Sequence, residues 1–502
     1  MPSLCNQTLA LSFIFGPLLE PLKYYSMKLF ITTVFSTVLL SALVAQNEST
    51  GPWTIEKCVS HAIENNIQVK QSALQAELTK NSLNSAQWDF APNLNASGNY
   101  GWNFGLNVDP VTNSISQTTR QTSSLGLNAN WTLYSGGRRS QTLDKNNLDY
   151  AASKHDLSQM KNDISLNVAS AYLQIILNQE ILGVAIEQVR ISQIQLDRTQ
   201  KLVDAGASPQ GDLFQLQSQL ARDEQNKVAS KNSVALSKLR LANLLQLDDP
   251  LSFEIVKPGI EAPEATVILQ PAQSIYEVAV ETESSIKSAQ VQVSSSEKSV
   301  KISQSAYMPS VSLIAQVGTS YSDQIKLPVN STVQSLPIGV VQGTGDVVVS
   351  GPELVPGGFE DKALGDQLND NLNEYVAFNV SVPIFNRMTT RNTTQNAKIN
   401  QDLADLQLQQ EKLTLKQSVF EAHADAKAGY NAYLAAQKAT TASEEAFKYA
   451  SERAKVGAIN QFDFENAKNN LAIAKSEMIR AKFDYVFKVK VLEFYLTRNI
   501  KF

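Results

Sequence analysis

Apolar and polar residues alternate along four segments of the chain, as they do in a β-strand whose two faces meet different surroundings. In residues 93–107 every even position from Leu94 to Leu106 is apolar or glycine, while every odd position is asparagine, serine or glycine. The other three segments are 124–133, 310–321 and 375–384, and within 310–321 only Ile314 points to the wrong face. Such alternation fits a strand with lipid on one side and water on the other, and it fits a half-buried sheet of a soluble protein equally well.

Two much longer segments, 138–204 and 388–455, contain no proline and only scattered glycines, so we predict two long helices there. At 1.5 Å per residue each helix would be about 100 Å long. On the first helix apolar residues recur at every seventh position, and mostly small residues stand three positions after each of them. The apolar series is Val168, Ile175, Leu182, Val189, Leu196 and Val203, and the small series is Ala171, Asn178, Ala185, Ser192, Thr199 and Gly206. The second half has the same small series at Ala422, Gly429, Ala436, Ser443, Ala450 and Gly457. A sustained heptad predicts coiled-coil packing, although an ordinary antiparallel coiled-coil stalk would show the same local pattern.

The chain repeats itself once. Residues near the start of each half correspond at an offset of 217, and later residues correspond at an offset of 251, as Gly206 and Asp212 do with Gly457 and Asp463. We therefore predict a tandem duplication in which each half runs helix, strand, loop, strand, long helix, turn, helix. The predicted organisation begins with an upstream segment and signal peptide (1–45), followed by a first repeat (46–247), a proline-rich linker (248–273), a second repeat (274–498) and a tail (499–502). The first repeat has two strands within 93–134 and a turn at 205–211. The second repeat has strands at 310–321 and 375–384 and a turn at 456–462. Opening helices are expected at 54–90 and 274–307, closing helices at 212–247 and 463–498, and an exposed irregular loop at 323–373.

The first 45 residues indicate export. Lys28 is followed by an apolar run from Leu29 to Leu40 and then by small residues that end at Ala45, which is the layout of a secretory signal. Met27 is therefore the expected start of translation.

Composition removes several classes of function. Charged residues make up 18% of the chain, and 43 basic against 48 acidic residues give a net charge of −5, so nucleic acid is not an expected partner. With three histidines and two cysteines, we expect no metal cluster, no disulfide framework and no cofactor. Cys58 would be the sole cysteine of an exported chain, so no internal disulfide can form, and an unpaired, semi-buried thiol is favoured over a reactive one. Acidic residues scattered along the helices are interpreted as solvated faces, and we expect no catalytic site.

The number of strands constrains assembly. Four strands cannot close a barrel, and lipid tolerates no open sheet edge. If the strands span a membrane, other copies must complete the sheet, with eight strands from two copies or twelve from three. Three features favour a membrane: the polar face carries asparagine, serine and glycine instead of charges, aromatic residues populate the apolar face, and the chain carries an export signal.

Two passages lead from a predicted strand into a long helix: Trp131-Thr-Leu-Tyr-Ser-Gly-Gly-Arg-Arg139 and Val382-Pro-Ile-Phe-Asn386. With the duplicated element order and the two matching turns, they make the chain resemble the TolC-type outer-membrane efflux proteins over essentially all of its mature length. The resemblance implies a mixed α+β membrane protein, a homotrimer whose twelve-stranded outer-membrane β-barrel, with four strands per protomer, continues as a coiled-coil α-helical tunnel in the periplasm. It also implies the exit duct of a tripartite efflux or type I secretion system, which conducts substrates passively and docks onto a periplasmic adaptor and an inner-membrane pump.

The two helix-to-helix turns are expected to carry the mechanism. Gly206 and Gly457 suit the left-handed conformation just past a helix end, and Asp212 and Asp463 suit the N-cap of the next helix. By the same resemblance, the turns form the periplasmic end of the duct and an acidic ring narrows the tunnel near the second turn. Asp463 matches the first carboxylate of that ring, and Asn466 stands in place of the second. The residues expected to touch the adaptor are Gly206, Asp212, Leu213, Gly457, Asp463 and Phe464.

Two other classes of function remain open from the sequence. A soluble periplasmic coiled-coil scaffold or adaptor would need no lipid-facing strands and would usually carry a separate small β domain, which the sequence does not show. An envelope enzyme could use the helices as a platform, but no nucleophile–base or metal-ligand pattern supports it. Within the duct interpretation, the sequence does not separate small-molecule efflux from polypeptide secretion.

Overall fold

The structure, a computed structural model, describes residues 52–108, 115–250, 253–259, 261–263 and 266–498. The predicted signal peptide and the tail at 499–502 lie outside the described residues. The chain divides into two compact units. In the described part of the smaller unit, Trp53 pairs with Ile255 in a parallel β-bridge, and the Val256 N–H donates to Trp53 O at 2.9 Å. All elements below belong to the larger unit.

Helices dominate the larger unit. They are α1 (Ile55–Asn65), α2 (Ile67–Trp88), α3 (Arg138–Asp204), α4 (Gln210–Leu245), α5 (Ala272–Thr282), α6 (Ser284–Gln304), α7 (Leu364–Asp370), α8 (Thr389–Lys455) and α9 (Gln461–Thr497). The long helices α3 and α8 have 67 residues each. Each predicted opening helix is in fact a pair of helices, because Asn66 and Glu283 have extended backbone with ψ of 132° and 127°. These two breaks lie 217 residues apart, so the duplication repeats them.

The long helices form the centre of the helical packing. α3 packs against α1, α2, α4, α6 and α9, while α8 packs against α5, α6 and α9. The small series marks close approaches, since a Cβ on Gly429 would lie 3.4 Å from the Tyr485 Cα of α9. An 18-residue window of α3 has a mean hydropathy of 1.2, enough by length and composition for a membrane span. A core helix passes the same test, and the apolar side chains of Val168 and Ile175 on α3 are fully buried.

Cys58 on α1 is a buried thiol. Its side chain has no exposed surface, and burial raises the pKa of the thiol to about 12. Because only the thiolate is reactive, this cysteine is inert at neutral pH. Cys58 is therefore unpaired and unreactive, as the sequence predicts, but it is fully buried and not semi-buried.

Ten strands are described. They are β1 (Asn93–Val108), β2 (Ile115–Ser135), β3 (Ser310–Ser322), β4 (Lys326–Val329), β5 (Thr332–Gln334), β6 (Pro337–Val340), β7 (Val347–Val349), β8 (Glu353–Val355), β9 (Gly358–Asp361) and β10 (Asn373–Ser381). Four of them form one antiparallel sheet in the order β1-β2-β3-β10, so the two repeats join at β2 and β3. β2 begins at Ile115 and not at 124, because its first residues pair with the distal half of β1.

The register places the predicted apolar sets of the four strands on one face, except at a bulge in β2 between Thr132 and Tyr134 that leaves Leu133 unpaired with β3. Leu94 pairs with Ala129, Ala129 pairs with Ala315, and Ala315 pairs with Val376. The next row, on the other face, contains Asn95, Asn128, Gln316 and Tyr375. Since the side-chain period of a strand is two, a slip of one residue would mix the two faces. The sheet therefore has one apolar and one largely polar surface.

The segment 323–373 is mostly exposed, as predicted, but it is not irregular throughout, because it contains a β-ribbon. β4 pairs with β9, β5 with β8 and β6 with β7, as in one long hairpin with interruptions, and α7 follows. Its strands have only three or four residues each, and glycine or proline stands in the connections from β6 to β9. Composition therefore predicts an irregular loop although six short strands pair within the segment.

The strand-to-helix junctions use the same left-handed backbone in both repeats. Gly136 and Gly137 have φ of 63° and 81°, and at the corresponding positions Arg387 and Met388 have φ of 54° and 64°. Gly136 cannot carry a side chain, since a Cβ would lie 2.5 Å from the Met308 Cβ. In the second junction Arg387 and Met388 adopt the same left-handed conformation, which costs energy for residues other than glycine.

Candidate gate and helix turns

The two turns at the far ends of the long helices have the same backbone. Gly206 and Gly457 both have φ of 73°, as the sequence predicts. The N–H of Ala207 donates to Leu202 O at 2.7 Å, and the N–H of Ala458 donates to Arg453 O at 2.8 Å. This bond between residues five apart closes the last turn of α3 and α8 as in a Schellman motif. Each long helix therefore ends abruptly, and the next helix returns beside it.

Asp212 and Asp463 do not cap the returning helices, so that prediction is wrong. The N-caps are Pro209 and Asn460, three positions before the two aspartates, because the helices begin at Gln210 and Gln461. The Asn460 side chain accepts a hydrogen bond of 2.7 Å from the Asp463 N–H. Both aspartates lie in the first helical turn, where a carboxylate is favourable beside the positive end of the helix dipole.

The apolar residues of the turns divide between the interior and the surface. Leu213 and Phe464, which the sequence analysis assigns to adaptor contact, are buried inside the protomer, and Phe464 packs on Phe447 with ring centroids 5.6 Å apart. The neighbouring Phe214 and Phe462 are exposed instead, 60% and 66% respectively. Sequence reasoning missed these two aromatic residues.

The predicted gate residues Asp463 and Asn466 are both exposed and stand three positions apart on α9. Residues with that spacing are neighbours on one helix face. The opposite face of α9, with Phe464, packs into the protomer. The structure therefore places the two gate candidates together on a surface that a single protomer leaves open.

A buried ionic network lies just above the gate candidates. Lys468 on α9 has no exposed surface, and its Nζ donates to Ser192 Oγ at 2.6 Å and to Asp223 Oδ2 at 3.0 Å. It also lies 2.8 Å from Glu465 Oε2. The Ser192 hydroxyl donates to Asp223 as well. We name these four residues the Lys468 network. The sequence analysis interpreted acidic residues as solvated faces, which is wrong for Asp223 and Glu465, both of them buried.

The apolar face of the sheet is uncovered in the protomer. Leu94 is 63% exposed, Val376 69% and Phe378 69%. The half-buried sheet of a soluble protein would cover such a face with its core, and an exposed apolar patch of this kind marks a membrane or an interface. Within the part of the chain that the structure describes, the geometry favours the lipid-facing alternative.

Exposed apolar strands joined to a long coiled coil define a class of membrane proteins that combine spanning strands with an extended helical portion. The chain belongs to the outer membrane efflux protein family, whose model matches residues 58–246 and 275–496, one segment in each repeat. It is accordingly an outer-membrane efflux channel protein with its helices in the periplasm. The soluble scaffold considered from the sequence has no support in this assignment.

Solved structures share the fold. The CmeC outer membrane channel of Campylobacter jejuni has 18% sequence identity and a TM-score of 0.68, with 95% of this chain and 93% of that chain covered. VceC of Vibrio cholerae has 14% identity and a TM-score of 0.67, with 88% and 95% covered. The open state of the MtrE channel of Neisseria gonorrhoeae has 16% identity and a TM-score of 0.64, with 89% and 91% covered. No curated protein sequence matches the chain.

Proposed function

We propose that three copies of the chain close a twelve-stranded barrel in the outer membrane, and that their helices continue it as a periplasmic tunnel. The observation that carries the proposal is the open four-stranded sheet, whose edges are β1 and β10 in the described residues and whose apolar face is exposed. In lipid an open edge would leave backbone groups unpaired, so other copies must pair with both edges. Two copies would give an eight-stranded barrel, and side chains fill the interior of a barrel of that size. A twelve-stranded barrel leaves an open lumen.

We further propose that this trimer is a passive exit duct. A periplasmic adaptor and an inner-membrane pump would supply the cargo and the energy, while the duct itself catalyses no reaction and holds no cofactor. The turns at the periplasmic end fit adaptor contact, because Phe214 and Phe462 present exposed apolar surface beside Gly206 and Gly457. Leu213 and Phe464 support these contacts from inside the protomer. The cargo, either small molecules or polypeptides, is selected by the pump.

The trimer is tested by the native mass of the mature protein, extracted from outer membranes in mild detergent. We expect a mass of three protomers, because twelve strands are needed for a lumen. Denatured protein measured in parallel gives the mass of one chain. A monomer, or a complex of two chains, would contradict the proposed assembly.

Asp463 is proposed to form the narrowest charged ring of the duct. Three carboxylates around one axis attract cations and repel anions, and the neutral Asn466 leaves them without a second acidic ring. We expect Asp463→Ala to lower the cation-over-anion permeability ratio several-fold in planar bilayers at low salt. Asp212→Ala is the matched control, because Asp212 has the same position in the first turn of α4. Equal effects of the two variants, or none from Asp463→Ala, would remove Asp463 from the gate.

A further inference from the structure

The Lys468 network connects three helices through one ammonium group. Ser192 belongs to α3, Asp223 to α4, and Glu465 to α9 itself. Lys468 Nζ donates one hydrogen bond to α3 and one to α4. With Glu465 of its own helix it forms an ion pair at 2.8 Å, in which Glu465 Oε2 accepts no hydrogen bond. Asp223 also accepts from Gln219 Nε2 at 2.9 Å. The cation is thus held from three sides without contact to water.

The position of this cation fixes the rotation of α9 about its own axis. Successive residues of a helix are about 100° apart. A rotation of α9 by one residue would therefore swing the ammonium away from both Ser192 and Asp223. It would leave the carboxylate of Asp223 buried without a cation, which is among the most unfavourable changes inside a protein.

The same rotation decides where the gate candidates point. Asp463 precedes Lys468 by five residues, a rise of about 7.5 Å along the helix. Around the helix axis, Asp463 and Asn466 lie about 140° and 160° from Lys468. While Lys468 stays buried between α3 and α4, both gate candidates must lie on the opposite, open side of α9.

The coiled coil itself does not require the network. By the offset of 251, the first repeat has Gln217 where the second has Lys468, and the second has Ala474 where the first has Asp223. The two helical hairpins, α3–α4 and α8–α9, therefore have the same fold although different polar residues occupy the positions that correspond to Lys468 and Asp223. Nearer the turns, a hydrogen bond between the hairpins runs from Arg198 Nη2 to Lys455 O at 2.9 Å and is exposed to solvent. The buried network is the firmer of these two connections.

We propose that Lys468 is a positioning residue, which acts through Asp223, Ser192 and Glu465 to hold α9 in the rotation that turns Asp463 and Asn466 into the lumen. This inference deepens the proposed function, because it concerns the same constriction. The direction in which Asp463 and Asn466 point would then depend on a side chain that does not itself reach the lumen.

The test measures position directly in the full chain. Spin labels are placed on Asp463→Cys of α9 and Glu224→Cys of α4, both at exposed sites, in a chain with Cys5→Ser. Buried Cys58 stays in place, because its thiol does not react. Co-expression with an excess of label-free chain restricts the measured distances to one protomer. We expect Lys468→Met to shift and broaden the distance distribution between the two labels.

Lys475→Met is the matched control. Lys475 lies on the same helix and pairs with Glu444 of α8 at 3.1 Å, but both side chains are partly exposed. We expect this variant to keep the original distances. Asp223→Asn is a milder second variant in case Lys468→Met does not assemble, and it should shift the distances in the same direction by less. An unchanged distribution in the assembled variants would overturn the positioning role.

The outcomes separate this inference from the gate itself. If Asp463→Ala leaves the ion permeability ratio unchanged while Lys468→Met shifts the distances, Lys468 positions α9 but the gate is wrong. If Asp463→Ala changes the permeability ratio while the Lys468 and Asp223 variants keep the original distances, the gate stands and the positioning role is wrong.

Discussion

Replacement of Lys468 by methionine is expected to lower the free energy of unfolding by about 3–5 kcal/mol. The variant keeps the shape of the side chain but leaves Asp223 and Glu465 buried without their cation. Thermal unfolding in detergent, followed by the helical circular dichroism signal, measures the loss. Lys475→Met removes a partly exposed ion pair of the same helix, and such pairs contribute at most about 1 kcal/mol.

A combined variant separates the charge from the packing. In Lys468→Met with Asp223→Leu and Glu465→Leu, the whole network becomes apolar, and replacement of buried ion pairs by apolar residues is often neutral or stabilising. We expect most of the lost stability to return. If Lys468→Met unfolds at the same temperature as Lys475→Met, the network contributes no more than a surface pair.

The network also shows where sequence reasoning reaches its limit. Lys468 and Glu465 are three positions apart on a helix, the spacing of a common surface ion pair. The partners that bury this lysine, Ser192 and Asp223, lie 276 and 245 residues away in the chain. Periodicity within one helix does not reveal that three helices converge at this point, so the charged residues were interpreted as solvated.

More of the sheet than of the network could be predicted, because the alternation that defines its two faces lies within each strand. Alternation along each strand gave the two faces, and the register places Trp131, Leu313 and Phe378 in one row. The order of the strands did not follow from the alternation, since pairing of β2 with β3 is a contact between the two repeats.

The turns lie between these two cases. The glycines predicted their backbone correctly, because the left-handed conformation is a property of one residue. The assignment of neighbouring side chains needed the exact start of each helix. Since α4 begins at Gln210 and α9 at Gln461, the caps lie three positions before the predicted ones. Only the packed structure separates buried Phe464 from exposed Phe462.

Insertion of a charge on the apolar face of the sheet should prevent assembly of the membrane portion. Phe378 lies in the middle of β10, is 69% exposed in the protomer and pairs with Leu313. If that face meets lipid, Phe378→Arg costs about 2–4 kcal/mol per chain near the bilayer midplane, and a trimer would incur that cost three times. We expect little folded protein in the outer-membrane fraction, measured by resistance of the native oligomer to detergent without heating.

Asn379→Arg provides the matched control, because it adds the same charge one residue further along the same strand. Asn379 is also exposed in the protomer but points to the other face of the sheet, opposite Ser312. In a water-filled lumen the added arginine remains hydrated, so the oligomer should assemble in normal amounts and its cation preference in bilayers should fall. Equal loss of assembly in both variants would mean that neither face meets water, and equal tolerance would mean that neither face meets lipid. Only the asymmetric result agrees with a barrel that has lipid outside and an aqueous path inside.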